Sequence, residues 1–210
     1  MPSLIKFLDW DSKFFDRRVG RINLSKVAIL DKIMRRAHRE EYKLLYIYSR
    51  VPVQMDPIGK YLLLDVGGHI TFKRDLGVHP LEDVRLESNI RQFQLEAITP
   101  DVMEIALLSG YLSRFRIDHS LPAGSFENLY ETWLTHTLKS FPECAVYTYH
   151  RDKRVVGLIT CEIQRTKCTI GLLAVSQPYQ GWGIATKLIR HVLNICIQNK
   201  VSAVEVKTQL

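Results

Sequence analysis

From Cys144 to Thr208 the order of apolar and polar positions changes period repeatedly, and each change marks an element. Alternation through Ala145 to Tyr149, Val155 to Gln164 and Thr169 to Val175 predicts an antiparallel meander, with turns at Arg151-Asp152-Lys153 and Arg165-Thr166-Lys167. Ser176 to Trp182 breaks that period, and beyond it Ile184, Leu188, Val192, Ile195 and Cys196 recur on one face of a helix. Val201 to Thr208 alternates again, as a strand should.

The earlier part of the chain is patterned differently. Ser3 to Leu8 and Val19 to Leu24 read as strands separated by a polar and aromatic loop, Asp9 to Asp16. Ser25 is an N-cap candidate for a helix whose Ile29, Leu30, Ile33, Met34 and Ala37 share one face, with Lys32, Arg35, Arg36 and Arg39 mainly on the other. Leu44 to Val51, Tyr61 to Val66 and Gly68 to Arg74 are further strand candidates. Asp75 to Glu87, with Gly77 and Pro80, reads as a linker. A boundary is therefore expected near residue 90, between a small N-terminal α/β domain (residues 1–90) and a second domain (residues 91–210). Thr99-Pro100-Asp101 opens a helix to about Leu112, with proline at the first helical position and an acid in the first turn. Ser125 opens another, whose Phe126, Leu129, Tyr130, Trp133, Leu134 and Leu138 form a stripe expected to be core.

At 46% hydrophobic and 24% charged residues, 210 residues suffice for a packed core and exclude intrinsic disorder. The net charge of +7 is spread evenly, with 16 basic against 12 acidic residues up to residue 90 and 13 against 10 after it. Such a surface suits a small anionic ligand, and the cationic face of the first long helix carries no recognition-helix pattern that would point to nucleic acid. No apolar run approaches a membrane span, and Lys6, Asp9 and Asp11 interrupt any signal-peptide core, so a cytoplasmic protein with no membrane partner is expected. Cys144, Cys161, Cys168 and Cys196 are spaced 17, 7 and 28 positions apart without a CxxC pair, which argues for buried free thiols and against a metal site.

The segment Gln177-Pro178-Tyr179-Gln180-Gly181-Trp182-Gly183-Ile184-Ala185 lies directly between a predicted strand and a long helix. Small residues there let successive backbone N–H groups turn toward one anion, whose charge the helix dipole also favours, and a pyrophosphate is the natural guest. Two glycines alone would equally serve an ordinary strand-to-helix turn that needs positive φ.

Gln180-Gly181-Trp182-Gly183-Ile184-Ala185 resembles the Q/R-x-x-G-x-G/A signature of the GCN5-related N-acetyltransferases (GNAT), supported by the flanking Gly171 to Ser176 and Thr186 to Ile189. The resemblance implies an α/β (α+β) fold with a mixed, mostly antiparallel, splayed sheet flanked by helices, behind a small N-terminal domain that is a degenerate relative of the same fold. It implies acetyl-CoA as cosubstrate, with Gln180, Gly181, Trp182, Gly183, Ile184, Ala185 and Thr186 at its pyrophosphate and the backbone of Leu173, Ala174 and Val175 along its pantetheine arm. A narrower resemblance links Leu8 to Phe15, Ser113 to Arg116, Tyr130 to Trp133 and Ile170 to Ala174 to the dTDP-fucosamine acetyltransferases, which acetylate the 4-amino group of dTDP-4-amino-4,6-dideoxygalactose. By that likeness Ser113 to Asp118 is a loop on the acceptor side, where Arg114 and Arg116 would meet a nucleotide diphosphate.

No catalytic residue is assigned. In that family the tyrosine that protonates the leaving thiolate sits on a helix beyond the strand that here reaches Thr208-Gln209, and the sequence stops at Leu210. That helix and the closing strands are thus expected to be missing, catalysis to be poor, and the edge of Val201 to Thr208 to stand open for another chain. Tyr111, Tyr130, Tyr147, Tyr149, Tyr179, His119 and His136 are the remaining titratable candidates. An acceptor at a protein N-terminus or small amine, and a non-catalytic acyl-CoA or nucleotide-sugar binding module, stay open as alternatives, as does a homodimer.

Overall fold

A computed structural model of the chain describes residues 5–24, 29–51, 53, 62–77, 87–94 and 98–209. It divides into two compact units, Met1–Val66 with Asp118–Pro122, and Gly67–Ile117 with Ala123–Leu210.

The smaller unit comprises β1 (Lys6–Phe7), α1 (Asp9–Phe14), β2 (Val19–Leu24), α2 (Leu30–Arg39) and β3 (Leu44–Ser49). β1 pairs antiparallel with β2, and β2 pairs parallel with β3 across the α2 connection. Leu30, Ile33, Met34 and Ala37 are the buried stripe of α2, packed with Ile5, Ile22, Leu24 and Tyr42, while its cations face solvent. α1 stands where a loop is expected. Asp9 and Asp11 in its first turn and Lys13 in its last complement the helix dipole, Lys13 Nζ reaches Asp9 at 2.8 Å, and Ser12 Oγ accepts the Val19 N–H at 2.9 Å. Ser25, the expected cap of α2, lies outside the described residues, as does Tyr61. Residues 62–66 form no strand, and Leu62 is 81% exposed.

The larger unit is a six-stranded sheet in the order β4-β9-β8-β7-β6-β5. Its strands are β4 (His69–Asp75), β5 (Ile90–Gln92), β6 (Cys144–Arg151), β7 (Arg154–Gln164), β8 (Lys167–Val175) and β9 (Ala203–Gln209). Its helices are α3 (Pro100–Ser109), α4 (Arg114–Ile117), α5 (Ser125–Lys139) and α6 (Ile184–Gln198). All neighbours are antiparallel except β8 and β9, which α6 joins by a crossover. Asp152 and Lys153, at φ +50° and +66°, make the tight β6–β7 turn whose twist suits a hairpin. Ile184, Leu188, Val192, Leu193 and Cys196 of α6 pack on Ala145, Tyr147, Tyr149, Ile159, Cys161, Cys168 and Ile170. Alternation turns Val146 and Thr148, also buried, to the other face, where α3 and α5 pack. The four cysteines are buried free thiols. Among the described residues no helix is long and apolar enough to cross a membrane.

Two expectations differ from this architecture because of one strand. β4 lies before residue 90, yet all seven of its residues register with β9, from His69 opposite Gln209 to Asp75 opposite Ala203. The units accordingly divide between Val66 and Gly67 rather than near residue 90. The edge of β9, expected to stand open, is covered by β4.

Candidate functional site

The parallel pairing of β8 and β9 stops early. It runs from Lys167 opposite Ala203 to Ile170 opposite Val206, while β8 continues to Val175 and β9 to Gln209. The cause lies on the other side of β8, where the ladder with β7 shifts register between Ile159 and Cys161. Thr160 stands at that bulge and its Oγ1 accepts the Leu172 N–H at 2.8 Å. A bulge bends its strand and strengthens the local twist, which turns β8 away from β9. Gly171 is required there: an added Cβ would lie 2.8 Å from Thr160 Oγ1 and 3.3 Å from the Trp133 ring.

Beyond the bulge β8 keeps only β7 as partner, through Leu173–Ile159, Ala174–Leu158 and Val175–Gly157. The Ser176 N–H donates to Val156 O at 2.9 Å, and in an antiparallel ladder such hydrogen-bonded pairs alternate. The main-chain groups of Ala174 therefore belong to the β7 ladder, whereas those of Leu173 and Val175 face the gap that β9 has left. Of the three expected pantetheine contacts, Leu173 and Val175 thus offer backbone to the gap and Ala174 does not. Val175 O is held by Gln180 Nε2 at 3.0 Å, which ties the loop to the strand end.

The loop begins as a 3-10 turn, Gln177–Tyr179, and reaches α6 through Gly181 (φ +80°) and Gly183 (φ +74°), the N-cap. Left-handed backbone explains both glycines, and at neither would an added Cβ meet an atom within 4 Å, so the surface over the loop is open. Ile184, 3% exposed, anchors the first turn in the core. The N–H groups of Gly183, Ile184, Ala185 and Thr186 have no partner within the helix, no side chain caps them, and no acid stands in the first turn. The positive end of a 15-residue helix is thus presented without a counter-charge of its own. Around it, Trp182 is 55% exposed, the Arg151 guanidinium lies over its ring at 4.1 Å, and Lys187 Nζ meets Glu87 at 3.3 Å. The hydrogen bond to Glu87 holds the Lys187 ammonium above its ordinary pKa.

Arg114 and Arg116 lie on α4 rather than in a loop. Arg116 is exposed, over the Tyr111 ring at 3.9 Å and the Phe126 ring at 6.0 Å; Arg114 is half-buried over Phe115 at 4.3 Å. Burial lowers the His69 pKa, and the positive charges of Lys207 and Arg114 lower it further, which puts Arg114 near the far end of the β4–β9 pair, past the point where β9 leaves β8. The α5 stripe is core at Leu129, Tyr130 and Leu134, but Trp133 is 40% exposed and covers Gly171 at the bulge. The signal for Trp133 was available only in pairing a large aromatic with a glycine on a distant strand. His119 and His136 are exposed. Burial raises the Tyr130 phenol, which bonds Ser113, and pushes Tyr147 up to about 12. Neither is placed as an acid or base. Among the described residues no three His, Cys, Asp or Glu side chains cluster as metal ligands.

Residues 112–210 match the family model described as the acetyltransferase (GNAT) family. The match spans the bulge, the gap, the glycine loop and α6. No curated protein matches the chain. Among solved structures, the IAA acetyltransferase from Bacillus cereus shares 23% identity at a TM-score of 0.39, over 56% of this chain and 63% of that one. A GCN5-related N-acetyltransferase from Sphaerobacter thermophilus shares 21% at 0.48, over 68% and 42%. The PaiA N-acetyltransferase from Thermoplasma acidophilum, in complex with coenzyme A, shares 16% at 0.43, over 53% and 73%. These are distant likenesses of fold, too loose to carry a substrate.

Proposed function

We propose that the chain is an acetyl-CoA-dependent N-acetyltransferase whose acceptor is the amine of a nucleotide-linked aminodeoxysugar, a dTDP-4-amino-4,6-dideoxyhexose. The observation that carries the cofactor half is the gap between β8 and β9 leading into an uncapped, glycine-lined start of α6, within the family-matched segment. The donor set fits the group: four first-turn amides and a positive helix end suit a diphosphate, and an extended arm running in the gap can add to β8 as a strand would. Gln180 holds the loop, and Gly181 to Thr186 supply the amides.

Chemically, the main chain at Leu173 and Val175 aligns the thioester and donates to its carbonyl oxygen as negative charge develops there. The neutral acceptor amine attacks the carbonyl carbon, the C–S bond breaks, the amine loses a proton and the sulfur gains one. The smaller unit is proposed as a reduced copy of the same fold. Its β1–β2 antiparallel pair, α2 crossover and parallel β3 repeat the order of β7, β8, α6 and β9.

The acceptor half rests on the fragments Leu8 to Phe15, Ser113 to Arg116, Tyr130 to Trp133 and Ile170 to Ala174, and on positive charge around Arg114 and Lys207 that suits a diphosphate. Calorimetry with acetyl-CoA, followed by a mass-spectrometric acceptor screen, tests the two halves separately. Acetylation of peptides or polyamines with higher kcat/KM than the sugar nucleotide would overturn the acceptor.

A further inference from the structure

We propose that Arg151, held over Trp182, recognises the 3′-phosphate of CoA and makes this site prefer CoA to dephospho-CoA. The inference rests on the cofactor reading above and adds to it a residue from outside the loop.

The fold brings the β6–β7 turn to the loop. β7 runs antiparallel to β8, so its first residues lie beside the end of β8: Gly157 pairs with Val175, and Val156 O accepts the Ser176 N–H. Arg151 closes β6 opposite Arg154, and the left-handed Asp152 and Lys153 complete the turn. From there the guanidinium reaches back over the loop, 4.1 Å from the Trp182 ring centre and 5.9 Å from that of Tyr179, the two rings being 6.2 Å apart. Trp182 stands between two left-handed glycines and is half exposed, an apolar ring kept at the surface beside an anion site.

CoA carries three phosphoryl groups, two in the diphosphate and one on the ribose. The amides of one helix start would serve the diphosphate and leave the third phosphoryl without a partner among them, and a cation at the rim of the loop would meet it. Lys187 on α6 is held by Glu87. Arg151 has one carboxylate within 4 Å among the described residues, Asp152, at 3.8 Å from its Nε and itself largely exposed. A guanidinium over an aromatic face is fixed in direction, keeps its N–H donors at its rim, and matches phosphate as a fork.

The test is calorimetry of CoA and dephospho-CoA against the parent chain, Arg151→Gln and Arg151→Lys, each checked for folding by thermal melt. The Arg151 side chain is 42% exposed, so both variants are expected to fold. The parent should favour CoA, and Arg151→Gln should weaken CoA about tenfold while changing dephospho-CoA less than about threefold, with Arg151→Lys in between. Equal losses for both ligands, or an unchanged preference for CoA, would overturn the inference while leaving the cofactor site standing. A folded parent that binds neither ligand would overturn the cofactor reading and this inference with it.

Discussion

Gly183→Val is the sharpest perturbation of the loop, because the structure separates its effect on folding from its effect on binding. Gly183 has φ +74° and nothing within 4 Å of an added Cβ, so the valine Cβ meets no protein atom and the folding penalty is mainly one of backbone conformation. Holding an L-residue left-handed costs about 1–2 kcal/mol, which lowers Tm by roughly 2–8 °C in a chain of this size and leaves it folded. Binding suffers more. In the proposed site, a diphosphate approaches the first-turn amides through the open space over Gly183. Losing two charge-assisted N–H contacts at about 1.5 kcal/mol each removes about 3 kcal/mol, a weakening of at least about 100-fold. Isothermal titration with CoA, paired with a thermal melt, reads both quantities. Gly77→Ala is the control: it also has open space, its φ is not left-handed, and it lies outside the loop, so its stability should change by less than about 1 kcal/mol and its affinity not at all. A folded Gly183→Val variant binding CoA within about threefold of the parent would refute the placement of the anion.

Other outcomes follow from single contacts. Gln180→Ala removes the bond to Val175 O and should weaken CoA by about 3- to 10-fold with little change in Tm, read by the same titration. Gly110→Ala would set a Cβ against the Tyr130 hydroxyl, in a side chain 3% exposed, and should cost about 1–3 kcal/mol by urea denaturation. The hydrogen bond with Cys161, together with burial, keeps the Cys168 thiol protonated up to about 12, and burial does the same for Tyr147. The unfolded chain ionises these groups near pH 8.5 and 10. It therefore releases protons that the folded chain retains, so stability should fall as pH rises from about 9 to 12, and Cys168→Val should flatten that slope in melts taken across the range.

The sequence made the family-matched half legible where the local period is strong. The meander, the loop and α6 all follow from alternation, two glycines and a one-sided apolar stripe, because those signals need only neighbours in the chain. β4 was hidden because its membership depends on a partner more than 100 positions away, and residues 78–86 intervene. The early end of the β8–β9 pairing was equally hidden, since a bulge is a property of register between strands; only Gly171 hinted at a close approach. α1 was missed because its helix is held by local ion pairing and the Ser12 hydroxyl rather than by an apolar stripe. Trp133 has the spacing of its buried helix neighbours, and only the sheet beneath it decides that it stands at the surface.

The most direct test of the central claim is a single-turnover reaction of the 210-residue chain with acetyl-CoA and a dTDP-4-amino-4,6-dideoxyhexose, followed by mass spectrometry. The sugar amine should gain one acetyl group at a rate above the uncatalysed background, with free CoA released in equal amount and the gain reduced in Gly183→Val. Acetyl transfer to peptides or polyamines alone would contradict the acceptor, and no transfer above background to any amine would contradict the enzyme.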